Sequence, residues 1–124
     1  MLGRNPAGFF LLVETEETDT RAHRNAAFDV LAAEMRAFDE ALRQGLAFQQ
    51  RNPGTLVLVL GDHDTGGLGI EEDSTHTVPV ASYVNRDHTA NMVPAFAQGP
   101  GADAFAGILS NAQVGRLLLE MVRR

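Results

Sequence analysis

The chain has 124 residues, no cysteine, and ten Lys and Arg against sixteen Asp and Glu, a net charge of −6. That length bounds it at one domain, and the acidic balance excludes a nucleic-acid backbone as partner, because that role needs a basic stripe. Without cysteine there is no disulfide framework, thiolate metal site or cysteine nucleophile, so a bound metal must be held by oxygen and imidazole.

From the N-terminus, Gly3 to Gly8 is a turn-rich lead into the unbroken apolar run Phe9–Val13. Such a run predicts a strand buried on both faces, as in a parallel sheet. It is too short for a membrane span or a signal-peptide core, so no membrane association or export signal is expected and location stays unassigned. An acidic stretch with Glu14, Glu16, Glu17 and Asp19 follows. Apolar residues then recur at helical spacing from Ala27 to Phe48, opposite Arg24, Glu34, Arg36, Glu40 and Arg43. This predicts one long amphipathic helix, ended by Arg51-Asn52-Pro53-Gly54.

Thr55–Leu60 is a second apolar run and predicts another strand. Strand, helix and strand in this order form a βαβ unit with a right-handed crossover and parallel strands. Parallel pairing would bring Glu14, Asp19, His23, Asp62 and His63 to the carboxyl edge of one sheet, where open α/β folds place their sites. Further along, Val78–Val84 and Met92–Ala97 are strand candidates, and Asn111–Arg123 predicts a closing helix. The fold class expected is therefore α/β.

Three of the four histidines stand in short clusters with acidic or hydroxyl neighbours: Asp19 with His23, Asp62-His63, and His88-Thr89. Asp19 and His23 are spaced i, i+4, which places both on one helical face. A carboxylate and an imidazole are half of a zinc shell, although the same spacing also arises in solvated helices. Asp62-His63 follows a buried run directly, and a charged pair there needs a partner or a metal. The alternative is that Asp62 caps a turn and His63 is solvated. His76, in a polar loop, reads as a surface residue. The glycine-rich Gly61–Leu68 lacks the Lys and Ser/Thr of a phosphate loop, and no G-x-S-x-G elbow exists.

The ordered set Gly8–Glu14, Asp19, His23, Phe38–Ala41, Asn52–Val59, Asp62–Gly67, His88-Thr89, Val93-Pro94 and Gly99–Ala102 resembles the alkaline phosphatases, over nearly the whole chain. It is similar to their C-terminal portion. The resemblance implies a partial parallel-sheet sandwich of the alkaline phosphatase type, with residues 1–124 forming a metal-binding segment of that domain. It implies two zinc sites and one magnesium site: Asp19, His23 and His88 on one zinc, Asp62 and His63 on the second, and Glu14 toward magnesium. It also implies hydrolysis of phosphate monoesters through a phosphoseryl intermediate, with inorganic phosphate as product. The family's Asp-Ser-Ala nucleophile segment, its phosphate-gripping arginine and the aspartate shared by zinc and magnesium have no counterpart here. Ser74, Ser82 and Ser110 stand in other contexts. Relatives are commonly periplasmic or extracellular and usually dimeric, so a homodimer or association with a missing N-terminal part is the expected assembly. The alternatives are a non-catalytic, truncated metal-binding protein and another metal-dependent branch such as a phosphodiesterase or mutase.

Overall fold

A computed structural model of the chain describes residues 2–75, 77 and 79–123. His76 and Val78 lie outside the described residues, so the reading of His76 as a surface residue is not addressed. Among the described residues there are three α-helices, two single-turn 3-10 helices and six short strands, the strands forming three separate antiparallel pairs.

The predicted long helix is present as α2, Phe28–Arg51. A separate helix α1, Glu17–His23, precedes it. The two are divided at Asn25, whose φ of 49° lies in the left-handed region that asparagine tolerates better than most residues. Arg21 of α1 reaches Glu34 of α2 at 3.1 Å, and Ala22 of α1 is buried. At its far end α2 stops at Asn52, whose side-chain amide donates to the Phe48 carbonyl at 2.9 Å. Pro53 follows, and a proline biases the residue before it away from helix.

Strand β1, Val57–Leu60, realises the core of the second apolar run. Its partner is not Phe9–Val13 but the last strand, β6, Ala95–Gln98, antiparallel in the register Val57 with Gln98 to Leu60 with Ala95. The expected parallel βαβ pairing is therefore not seen among the described residues. Phe9–Val13 enters no ladder, and Leu12 and Val13 are 75% and 62% exposed. The run is apolar enough to be covered on both faces, yet only Phe9 finds an aromatic neighbour, edge-to-face on Phe48 at 5.9 Å. No described element supplies a hydrogen-bonding edge for the rest of it.

The remaining strands are two-residue pieces. β2, Asp64-Thr65, pairs with β5, His88-Thr89; β3, Gly69-Ile70, pairs with β4, Ala81-Ser82. The Val78–Val84 candidate thus shrinks to Ala81-Ser82, and the Met92–Ala97 candidate moves on to Ala95–Gln98. Helix α3, Asn111–Val122, closes the chain. Its N-terminus is a capping box in which the Ser110 hydroxyl accepts from the Gln113 N–H and the Gln113 side chain accepts from the Ser110 N–H.

Candidate metal centre

Four backbone segments converge on one small region: the end of α1, the turn after β1, strand β2 and strand β5. Helix α1 carries Asp19 and His23 one turn apart, and His23 Nε2 lies 3.4 Å from Asp19 Oδ2. Strand β5 brings His88 to the other oxygen of the same carboxylate, Nε2 to Oδ1 at 3.6 Å. One ligand atom from each of Asp19, His23 and His88 lies within 4.8 Å of the others. Beside them, His63 Nε2 stands 3.5 Å from Asp62 Oδ2. The His63 and His88 rings stack with centroids 3.6 Å apart, which places the two sets side by side.

Each of the three imidazoles thus turns Nε2 toward a carboxylate. For His23 the reason is visible: Nδ1 sits 2.5 Å from the Arg86 carbonyl oxygen, which can only accept, so Nδ1 carries the proton. In the neutral ring Nε2 is then the free lone pair, and it faces Asp19. That is the arrangement a metal-binding histidine adopts, with the outer nitrogen fixed by a backbone carbonyl or carboxylate. Two imidazoles sharing one carboxylate, partly open to solvent, fit a divalent cation with a position left for another ligand.

The loops that deliver these candidate residues are held by backbone geometry. Gly66, at φ 80°, accepts through its carbonyl from the Val84 and Asn85 N–H groups and donates to the Asp87 carbonyl. A Cβ at Gly66 would come 2.6 Å from the Tyr83 ring, so only glycine fits this crossing. The Tyr83 hydroxyl in turn donates to the Ala26 carbonyl at 2.9 Å, tying the loop before His88 to the junction of α1 and α2. Burial pushes the Tyr83 phenol above its ordinary pKa of 10.0. Asp64 is the other fastener: Oδ2 accepts from the Thr89 hydroxyl at 2.5 Å, the Gly67 N–H at 3.1 Å and the Asn91 amide at 3.4 Å. After β1, the Asp62 carbonyl accepts from the Asn111 amide at 2.8 Å.

Of the residues singled out in the sequence, Asp19, His23 and His88 come together, and Asp62 and His63 lie against them. Glu14 does not join that group; it is exposed on the segment before α1. Sequence reasoning gave no role to Asp64 and Thr65 and named Thr89 only as the neighbour of His88, yet the three form the hydrogen-bonding frame around the candidate residues. The visible hint was the run Asp62-His63-Asp64-Thr65, four polar side chains in succession directly after an apolar strand. The three serines are all engaged elsewhere: Ser110 caps α3, Ser74 bonds Val80, and Ser82 bonds Glu71.

The family model described as "Alkaline phosphatase" matches residues 1–85. Alkaline phosphatase 4 of Bacillus subtilis is 22% identical over an alignment that covers 98% of this chain and 41% of the relative. Streptomycin-6-phosphate phosphatase of Streptomyces griseus is 31% identical over 86% of this chain and 28% of its own length. Among solved structures, a variant of the alkaline phosphatase of the Antarctic bacterium TAB5, with Mg bound in its M3 site, superposes with a TM-score of 0.86. It is 32% identical, over 98% of this chain and 38% of that one. The chain spans about two fifths of the length of the first of these curated relatives. With more than half of its residues inside the family match, and its fold laid over a solved member, this chain belongs to the alkaline phosphatase family.

Proposed function

We propose that this chain supplies the metal-holding side of a phosphate monoester hydrolase site of the alkaline phosphatase type, dependent on zinc and magnesium. The observation that carries the proposal is the convergence of Asp19, His23 and His88 within 4.8 Å. These three residues would hold one zinc, Asp62 and His63 would contribute to a second, and Glu14 would serve a magnesium position. Magnesium in the M3 site of the TAB5 variant supports a place for that ion in a structural neighbour. When bound, the cations supply Lewis acidity that offsets charge on a phosphoryl group and its attacking and leaving oxygens.

This chain's own residues prepare that chemistry. His23 and His88 present ring nitrogens on either side of one carboxylate, and Asp19 offers each of its oxygens to a different imidazole. The stacked His63 and His88 rings keep the second ligand pair beside the first, and half-exposed His88 leaves the centre open to a phosphate ester from solvent. A serine nucleophile is not among the contributions of the described residues, since Ser74, Ser82 and Ser110 are each bonded away from the proposed ligands.

That last observation favours a second reading, a protein that binds zinc without turning over substrate. One experiment separates the two. Zinc binding and hydrolysis of p-nitrophenyl phosphate at alkaline pH are followed in the purified protein and in His88→Ala, Asp19→Ala and Asp103→Ala. The first two variants should each lose zinc binding at one position, while Asp103→Ala, in the turn after β6, should bind as the parent does. Equal zinc affinity in all three removes the ligand assignment. Zinc binding with no hydrolysis supports the second reading.

A further inference from the structure

We propose that Thr65 is a positioning residue that couples the two sets of metal ligands. Its hydroxyl lies 2.5 Å from Asp19 Oδ1 and 3.2 Å from His63 Nδ1, so one side chain touches a ligand of each proposed position. This inference rests on the ligand reading proposed above and assigns a role to a residue outside the ligand set.

The direction of each hydrogen bond follows from proton counting. An ionised carboxylate only accepts, so the single hydroxyl proton of Thr65 goes to Asp19. The hydroxyl oxygen then has only lone pairs left for His63, and Nδ1 of His63 must be the protonated nitrogen. In the neutral ring Nε2 is then the free lone pair, and that atom faces Asp62 Oδ2 at 3.5 Å. Thr65 therefore does for His63 what the Arg86 carbonyl does for His23. It also fixes the rotation of the Asp19 carboxylate, on which both His23 and His88 converge.

The backbone explains why this hydroxyl can hold both partners. Thr65 is paired with His88 across the β2–β5 ladder, and the next residue is Gly66 at the crossing beneath Tyr83. Thr65 is 8% exposed, so water competes poorly for its hydroxyl. Threonine is also restricted at χ1 by its branched Cβ, so little side-chain freedom remains to be lost when both contacts form.

The test compares Thr65→Val, which keeps the shape without the hydroxyl, with Thr65→Ser, which keeps the hydroxyl. Zinc affinity is read by competition with a chromophoric chelator, and cobalt(II) absorption reports ligand geometry. Outer hydrogen-bond partners of metal ligands are worth roughly 10–100-fold in affinity. Thr65→Val should lose about that much at both positions with a changed cobalt spectrum, while Thr65→Ser stays near the parent. A role confined to packing would leave Thr65→Val unchanged in zinc affinity, and that result overturns the proposal. Long-range proton–nitrogen correlation on the metal-free parent protein at alkaline pH gives an answer that needs no variant. His63 should carry its proton on Nδ1; a proton on Nε2 overturns the proposal even if the protein binds zinc. Failure of the parent to bind zinc, by contrast, would defeat the ligand reading and leave the tautomer result to decide this one.

Discussion

Single side chains in this centre are fixed by contacts that span long stretches of sequence. Thr65 meets Asp19 across 46 positions, and Tyr83 meets Ala26 across 57. Such contacts leave no local pattern, which is why the grouping of Asp19 with His23 and of Asp62 with His63 could be read from spacing and strand context while the contacts of Thr65 and Asp64 could not. His88 was intermediate: alone it carried no signal, and only its order relative to the other motifs marked it. Tyr83 gives a residue-scale prediction. Its phenol titrates above the usual value in the folded chain because burial disfavours the phenolate. The stability tied to its neutral form is full below the unfolded pKa, near 10, and is lost as pH rises from there through the folded value. Tyr83→Phe should therefore lessen the alkaline loss of stability, while costing about 1 kcal/mol at neutral pH for the missing hydrogen bond. Chemical denaturation at neutral pH and above pH ~10 checks both signs.

Elements were legible where periodicity is strong and partners are local. Helices α2 and α3 fall within a few residues of where their apolar spacing put them, and β1 lies inside the Thr55–Leu60 run. Pairing was not legible, because an apolar run says that a strand is to be covered and not by what. β1 takes β6 as an antiparallel partner, so Asp19, His23 and His88 reach one place through α1 and β5 rather than along a shared parallel edge. The split between α1 and α2 also escaped periodicity, since one residue in the left-handed region is enough to turn the chain. At this scale Ser110 is the sharpest test. Ser110→Ala removes half of the capping box and should cost about 1 kcal/mol of stability. Zinc affinity should stay unchanged, because α3 carries no ligand; a coupled loss of zinc would mean that the Asn111 bond to the Asp62 carbonyl depends on the cap.

The whole molecule exposes 9317 Å², whereas a compact monomer of 13.4 kDa exposes about 6,500 Å². Ala22 and Phe105 are the buried apolar side chains among the described residues, while Phe10, Leu11, Leu12, Val13, Phe96 and Ile108 are all more than half exposed. An apolar surface this extensive is the kind that marks association surfaces in soluble proteins. No described helix is long and apolar enough to cross a membrane. The protein should therefore bind an environment-sensitive dye such as anilinonaphthalene sulfonate strongly in its native state. Weak dye fluorescence at protein concentrations where size-exclusion chromatography shows a monomer would contradict this exposure.

The claim on which the functional reading depends is that Asp19, His23 and His88 form one metal position, with Asp62 and His63 forming the basis of a second. Zinc content after equilibrium dialysis, measured on the parent protein and on Asp19→Ala, tests it most directly. Two zinc ions should be bound per parent chain, and the variant should lose one of them. No bound zinc in the parent, or the same zinc content in both proteins, would contradict it.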